Sequence, residues 1–107
     1  MKRRWLEAIC PGFDLKVALA DPDPDLRAAA VHVVPRPTPP ALRDLLAHAV
    51  TSDADDKVAL GAAQALCGDD PVAAQAALGA QGIDRIKKLV VAYPKRATRD
   101  ANRCLAR

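Results

Sequence analysis

The sequence predicts an all-α fold, a stack of antiparallel helical hairpins. Three observations carry this prediction. The phrase Asp23-Pro24-Asp25-Leu26-Arg27-Ala28-Ala29-Ala30-Val31-His32-Val33-Val34 reads as a capped, alanine-rich helix. It returns more loosely at Asp56-Lys57-Val58-Ala59-Leu60-Gly61-Ala62-Ala63-Gln64-Ala65-Leu66, and faintly at 97–105. Val58 follows Leu26, and Leu66 follows Val34, by the same 32 residues. Leu105 follows Leu66 by 39, so the third unit is longer or irregular. Repeats of roughly 20–50 residues are the mark of solenoids, in which each unit covers its neighbour's apolar face. Composition agrees: of 107 residues 23 are alanine and only Trp5, Phe13 and Tyr93 are aromatic. Sheets favour β-branched and aromatic residues, whereas closely packed helices use alanine.

The elements follow in order. Residues 2–10 suggest a first helix with Trp5, Leu6 and Ile9 on one face, stopped by Pro11-Gly12. Residues 13–20 suggest a second, with Leu15, Ala18 and Leu19 inward, paired with the helix at 24–34. In that helix Asp23 suits the cap, Pro24 the first position and Asp25 the positive end of the dipole. Leu26, Ala29, Ala30, Val33 and Val34 share its inner face. Pro35-Arg36-Pro37-Thr38-Pro39-Pro40 cannot be helix interior. It reads as a stiff connector in which Thr38 caps and Pro39 opens the next helix; the alternative is a proline-rich docking motif. Residues 40–51 are amphipathic, with Leu42, Leu45, Leu46, Ala49 and Val50 inward. A helix then runs from 53 to about Cys67 and stops at Gly68. Asp70-Pro71 opens a short helix to Leu78, and Gly79 and Gly82 bracket a turn. Residues 83–93 turn Ile83, Ile86, Leu89, Val90 and Tyr93 to one side. Pro94 ends that helix and a basic one fills 95–106, giving eight helices in four pairs.

Residues 21–30, Asp-Pro-Asp-Pro-Asp-Leu-Arg-Ala-Ala-Ala, resemble the inter-helix turn and second-helix start of bacterial HEAT-like repeats. Leu26, Arg27, Ala29, Ala30 and Val34 match that pattern. Val58, Ala62, Ala63 and Leu66 match in the second copy, with Ala59 in place of the arginine; Leu105 matches in the third. The resemblance covers about residues 14–107. It implies a right-handed α-solenoid of about four hairpins, usually a protein-binding scaffold, and carries over no catalytic residue. Both ends match the pattern poorly, so the single domain spanning 1–107 can also be read as a segment of a longer solenoid.

Little in the chain suggests catalysis. His32 and His48 have no second histidine or cysteine at helical ligand spacing. Glu7 is the only glutamate and Ser52 the only serine. Asp53, Asp55 and Asp56 open like a calcium loop but lack its central glycine and closing glutamate. There is no phosphate-cradling glycine loop and no nucleophile elbow. The reading is therefore a protein without enzymatic activity, metal or cofactor. No run of apolar residues is long enough to cross a membrane. The basic start is not followed by the apolar core of a secretion signal. Cytoplasmic residence is the default.

Two features remain as candidate sites. Cys67 and Cys104 lie beside Leu66 and Leu105, at matching places in the second and third copies. Equivalent positions stack in a solenoid, so the pair can form a disulfide, which would place the chain outside the cytoplasm. The favoured reading is two small buried apolar residues of helix-packing faces, with the disulfide as the alternative. Cys10 has no evident partner. The second feature is charge. Residues 14–81 carry a net −5 and residues 82–107 a net +6, within an overall +3. Arg85 and Lys88 line one expected helix. Arg96, Arg99, Arg103 and Arg107 line the next, at 0, 3, 7 and 11. Such a stripe suits an acidic partner or phosphates, but lacks aromatics that stack on single strands. The expected function is protein–protein binding through one face of the stack, with Arg85, Lys88, Arg96, Arg99 and Arg103 as contact residues. The alternatives are nucleic-acid binding through the same stripe and a structural segment of a longer solenoid.

Overall fold

Two aspartate-led turns set the register of the molecule. In the first, Asp21 Oδ1 accepts the Asp23 N–H at 2.8 Å, and Asp23 Oδ1 accepts the Asp25 N–H at 2.9 Å. In the second, 32 residues on, Asp53 Oδ1 accepts the Asp55 N–H at 2.9 Å, and Asp55 Oδ1 accepts the Lys57 N–H at 2.8 Å. The first aspartate of each turn fixes the turn, and the second caps the helix that follows. The 32-residue period is thus a repeated set of hydrogen bonds.

A computed structural model describes residues 15–35, 37–96 and 99–105. They are helical, with no strand among them. The helices are α1 (Leu15–Leu19), α2 (Pro24–His32), α3 (Pro40–Ser52), α4 (Asp56–Asp69), α5 (Pro71–Ala92) and α6 (Arg99–Arg103). Neighbours in sequence pack together: α1 on α2, α3 on α4, α5 on α6. So do alternate helices: α1 on α3, α3 on α5, α2 on α4, α4 on α6. α4 also touches α5, so it is bounded by α2, α3, α5 and α6.

That position explains the composition of α4. Ala59, Ala62 and Ala63 are fully buried, and Val58, Leu66 and Cys67 fill the space between them. A Cβ on Gly61 would stand 3.0 Å from Val31 Cγ2, so the absent side chain lets α2 lie close. Leu15, Val31, Leu46, Val50 and Ile86 complete the densest part of the core. Ala47, not expected inward, is buried on α3 with Leu46, Ala49 and Val50, while Leu42 and Leu45 are only half-buried.

Several boundaries differ from expectation. The expected helix at 2–10 lies outside the described residues, as do Phe13 and Cys10. Thr38 does not cap α3. The helix starts one residue later, with Pro39 at the cap and Pro40 first, and without a side-chain cap bond. Thr38 is instead buried: its N–H donates to Asp69 Oδ2 at 3.0 Å and its hydroxyl to the Pro35 carbonyl at 3.3 Å. α4 passes through Gly68 to Asp69, because Asp70 both closes α4 and caps α5 through the Ala73 N–H. Only Gly79 breaks α5, at φ 66° and ψ −173°, a conformation that glycine adopts without a Cβ penalty. Gly82 is not a turn residue. It is buried inside the helix, where a Cβ would meet the Leu78 side chain at 2.7 Å. Six helices therefore occupy the described residues, one of them broken.

Candidate partner-binding surface

The expected basic stripe does not form on one helix. Pro94, Lys95 and Arg96 make a turn, and α6 covers only Arg99–Arg103. Arg96 is therefore off the helix, exposed, with its guanidinium carbon 6.0 Å from the Tyr93 ring centre. Arg99 opens α6 and is exposed. Arg103 is exposed along its stem but donates from Nη1 to the Gly68 carbonyl at 2.8 Å. Lys88 is exposed and pairs with Asp84 one turn back at 3.1 Å. Arg107 lies outside the described residues. What the last hairpin presents is a set of exposed cations, Lys87, Lys95, Arg96 and Arg99.

Arg85 points the other way. Its Nη1 donates to the Val50 and Thr51 carbonyls at 3.3 and 3.4 Å; its Nη2 donates to the Asp53 carbonyl at 2.9 Å and Asp56 Oδ1 at 3.1 Å. A cation at the carbonyl end of α3 is favoured by the helix dipole as well as by these bonds. Asp56 Oδ2 accepts the Tyr93 hydroxyl at 2.7 Å. The hydrogen bond from Tyr93, then that from Arg85, hold the Asp56 carboxyl below the usual aspartate value. The same bond raises the Tyr93 phenol above its ordinary value.

Arg27 makes the corresponding clamp one turn earlier. Its Nη1 donates to the Asp21 carbonyl at 2.9 Å, while Nε and Nη2 grip Asp53 Oδ2 and Oδ1 at 2.9 and 3.2 Å. The Asp53 hydrogen bond holds Arg27 above its ordinary value. The carbonyls gripped, Asp21 and Asp53, are 32 residues apart. Ala59, where the sequence repeat would place the second arginine, is fully buried, and Arg85 reaches in from α5 instead. Arg85, expected on the exposed side of its helix, is thus turned onto backbone carbonyls, and the Arg27–Asp53 and Tyr93–Asp56 links are not among the expectations. The 32-residue offset between Asp21 and Asp53 is the signal that could have found the first.

An open cleft of roughly 400 Å³ lies between α1 and α3, lined by Lys16, Leu19, Leu45, His48, Ser52 and Asp53 among others. Ser52, His48 and Asp53 invite comparison with a hydrolytic triad. In a triad the carboxylate orients the histidine. Here both Asp53 oxygens face Arg27, and Oδ1 also accepts the Asp55 N–H. Among the described residues no three histidine, cysteine or acidic side chains are grouped to hold a metal ion. No described helix is long and apolar enough to cross a membrane.

Cys67 and Cys104 are joined by a disulfide, with Cα atoms 5.6 Å apart. Two further bonds fasten the same segment: Gln64 Oε1 accepts the Ala101 N–H at 2.7 Å, and Gln75 Nε2 donates to the Cys104 carbonyl at 2.8 Å.

No family model matches the chain, and neither the curated proteins nor the solved structures contain a match to it.

Proposed function

We propose that the chain is a HEAT-like, right-handed α-solenoid segment, a non-catalytic scaffold that binds another protein through one face of the stack. The observation that carries this reading is the packing order. First helices of the pairs lie on first helices and second helices on second, as stacked hairpins require. The Asp21 and Asp53 turns share the same pair of side-chain to backbone bonds, which supports the same repeat. A solenoid grows by adding such units, and its continuous faces are where repeat proteins receive partners.

The contact surface in this reading is the set of exposed cations of the last hairpin: Lys87, Lys88, Lys95, Arg96 and Arg99, with Arg103. Among the described residues, Lys87, Lys95 and Arg99 make no ion pair, so their charge is open to an acidic protein. The same fact supports a second reading, in which these cations hold the phosphate backbone of a nucleic acid. A third, a structural segment of a longer solenoid, rests on the resemblance alone. The disulfide fits residence in an oxidising compartment.

Titration of labelled duplex DNA at low and physiological salt separates the first two readings. The comparison is the native chain against the Arg96→Ala, Arg99→Ala, Arg103→Ala triple variant. A protein-binding scaffold shows weak binding at low salt that the variant changes little. Tight binding that falls steeply with salt and collapses in the variant would put the phosphate reading in its place.

A further inference from the structure

We propose that the Cys67–Cys104 disulfide is a redox-operated latch: it holds α6 against α4 and α5, and its reduction releases the segment around α6 while the rest of the stack stays folded. α6 has five residues, about one turn and a half, whereas isolated helices shorter than ~12–15 residues are marginal in water. It must therefore be held by what it packs on. Among the described residues, the buried apolar anchors in and just after it are Ala101 and Cys104, one of which is the bonded sulfur residue. Leu105 adds a half-buried side chain. Further fastenings include the Gln64 and Gln75 bonds and the Arg103 bond to Gly68, and Asn102 also has a partner. Both glutamine bonds are made to the backbone of Ala101 and Cys104. They require α6 to be in place and cannot put it there.

The other end of the bond is different. Cys67 sits in the last turn of a fourteen-residue helix bounded on four sides, with Val58, Ala59, Ala62, Ala63 and Leu66 buried along it. None of those contacts needs the disulfide. Cutting the bond therefore removes a large part of what holds α6 and little of what holds α4. The flank uncovered lies around Gln64, Cys67 and Gly68 on α4 and Gln75 on α5. Arg99 and Arg103 leave with the segment, so the basic end of the molecule is fixed when oxidised and loose when reduced. The device does not depend on what the scaffold binds.

The chemistry is ordinary exchange with a dithiol. One thiolate of the dithiol attacks a sulfur of the pair, the sulfur–sulfur bond breaks, and a mixed disulfide forms. The second thiolate displaces the protein sulfur, the dithiol leaves as its own disulfide, and Cys67 and Cys104 each take a proton. Two electrons pass from the dithiol to the protein. Both sulfur-bearing residues are buried, so attack waits on a local lifting of α6.

Hydrogen exchange read by mass spectrometry tests this on the native protein, before and after dithiothreitol, with alkylation counting the thiols. The expected result is two new thiols, loss of protection over 99–105 by roughly 100-fold, and unchanged protection over 24–32 and 56–69. A Cys67→Ser, Cys104→Ser double variant shows the same pattern without reductant; if it does not fold, the reduced native protein decides. Three results overturn the latch. One is unchanged protection over 99–105 after reduction. Another is loss of protection over all three spans together, which makes the bond a global staple. The third is alkylation of both cysteines in the air-oxidised protein.

Discussion

α2 and α6 flank the same helix and are held to it by different means. α2 has nine residues, an Asp23 cap, a proline at its first position, and Ala30 and Val31 buried where Gly61 lets α4 come close. Its cap and proline are local; Arg27 on Asp53 and Lys57 on Asp25 tie it to the second turn. α6 has five residues, and the fastenings seen among the described residues reach far along the chain: a disulfide to Cys67 and bonds with Gln64, Gln75 and the Gly68 carbonyl. A helix long enough to carry its own cap and apolar stripe can be written as a repeated phrase. One too short for that has to be fastened by residues 29–37 positions away. The regular and irregular units of this chain differ in where their stability is encoded.

The largest test of this comparison attacks the helix that both flanks share. Leu66 is buried on α4, next to Cys67 in the chain. Leu66→Ala should cost about 2–5 kcal/mol, the transfer of the side chain plus the cavity left behind. Urea unfolding followed by circular dichroism should show a single transition at lower denaturant. A small loss, or two separated transitions, would mean that the flanks are not supported through α4.

How legible was this in the sequence? The start of α2 is readable because its devices are short-range: Asp23 and Pro24 mark a helix start in any context. Its inner face is less so, since Val31 is buried with Ala30 while Leu26, Ala29, Val33 and Val34 are half-buried and the helix closes at His32, two residues short of the expected end. The second turn was half-readable. A helix opening at Asp53 is expected from the sequence, but not that Asp53 fixes the turn and Asp55 caps. The basic end was misread for a physical reason. The arginines at 96, 99, 103 and 107 have helical spacing, but spacing says nothing of whether a turn intervenes, and the chain turns through Pro94–Arg96. Arg85 has the sequence look of a surface cation on an amphipathic helix. Its true surroundings, the carbonyl end of α3 and the start of α4, are 29–35 residues away. Gly82 looked like half of a turn because glycine serves close packing and tight turns equally well.

A second test compares the two clamps. Arg27 and Asp53 meet through two bonds with side chains 15% and 8% exposed; Arg85 and Asp56 meet through one, at 23% and 43%. Coupling between charges grows with burial and with bidentate geometry. Double-mutant cycles with alanine should therefore give a larger coupling energy for Arg27–Asp53 than for Arg85–Asp56. Equal couplings would show that the Asp53 turn gains nothing from its greater enclosure.

The smallest effect concerns pH and belongs to the Asp56–Tyr93 link, which joins the second turn to the end of α5. Asp56 is held below the ordinary aspartate value of 3.8, chiefly by the Tyr93 hydroxyl and then by Arg85. Its contribution is therefore present above that value and is lost as the pH falls through the lowered one. Tyr93 is held above the ordinary tyrosine value of 10.0 by the same bond. A raised value works in the opposite sense: the contribution is complete below 10.0 and is lost as the pH rises through the raised one. One hydrogen bond thus gives a plateau with a fall at each side. Thermal unfolding of the native chain and of Tyr93→Phe across this range should show the variant lower on the plateau. The variant should lose its alkaline fall and keep a shallower acid one, since Arg85 still faces Asp56. An alkaline fall of unchanged depth in the variant would assign that limb to another group. With 43% of the Asp56 side chain exposed, solvent screens the link and both limbs should be shallow beside the loss from Leu66→Ala.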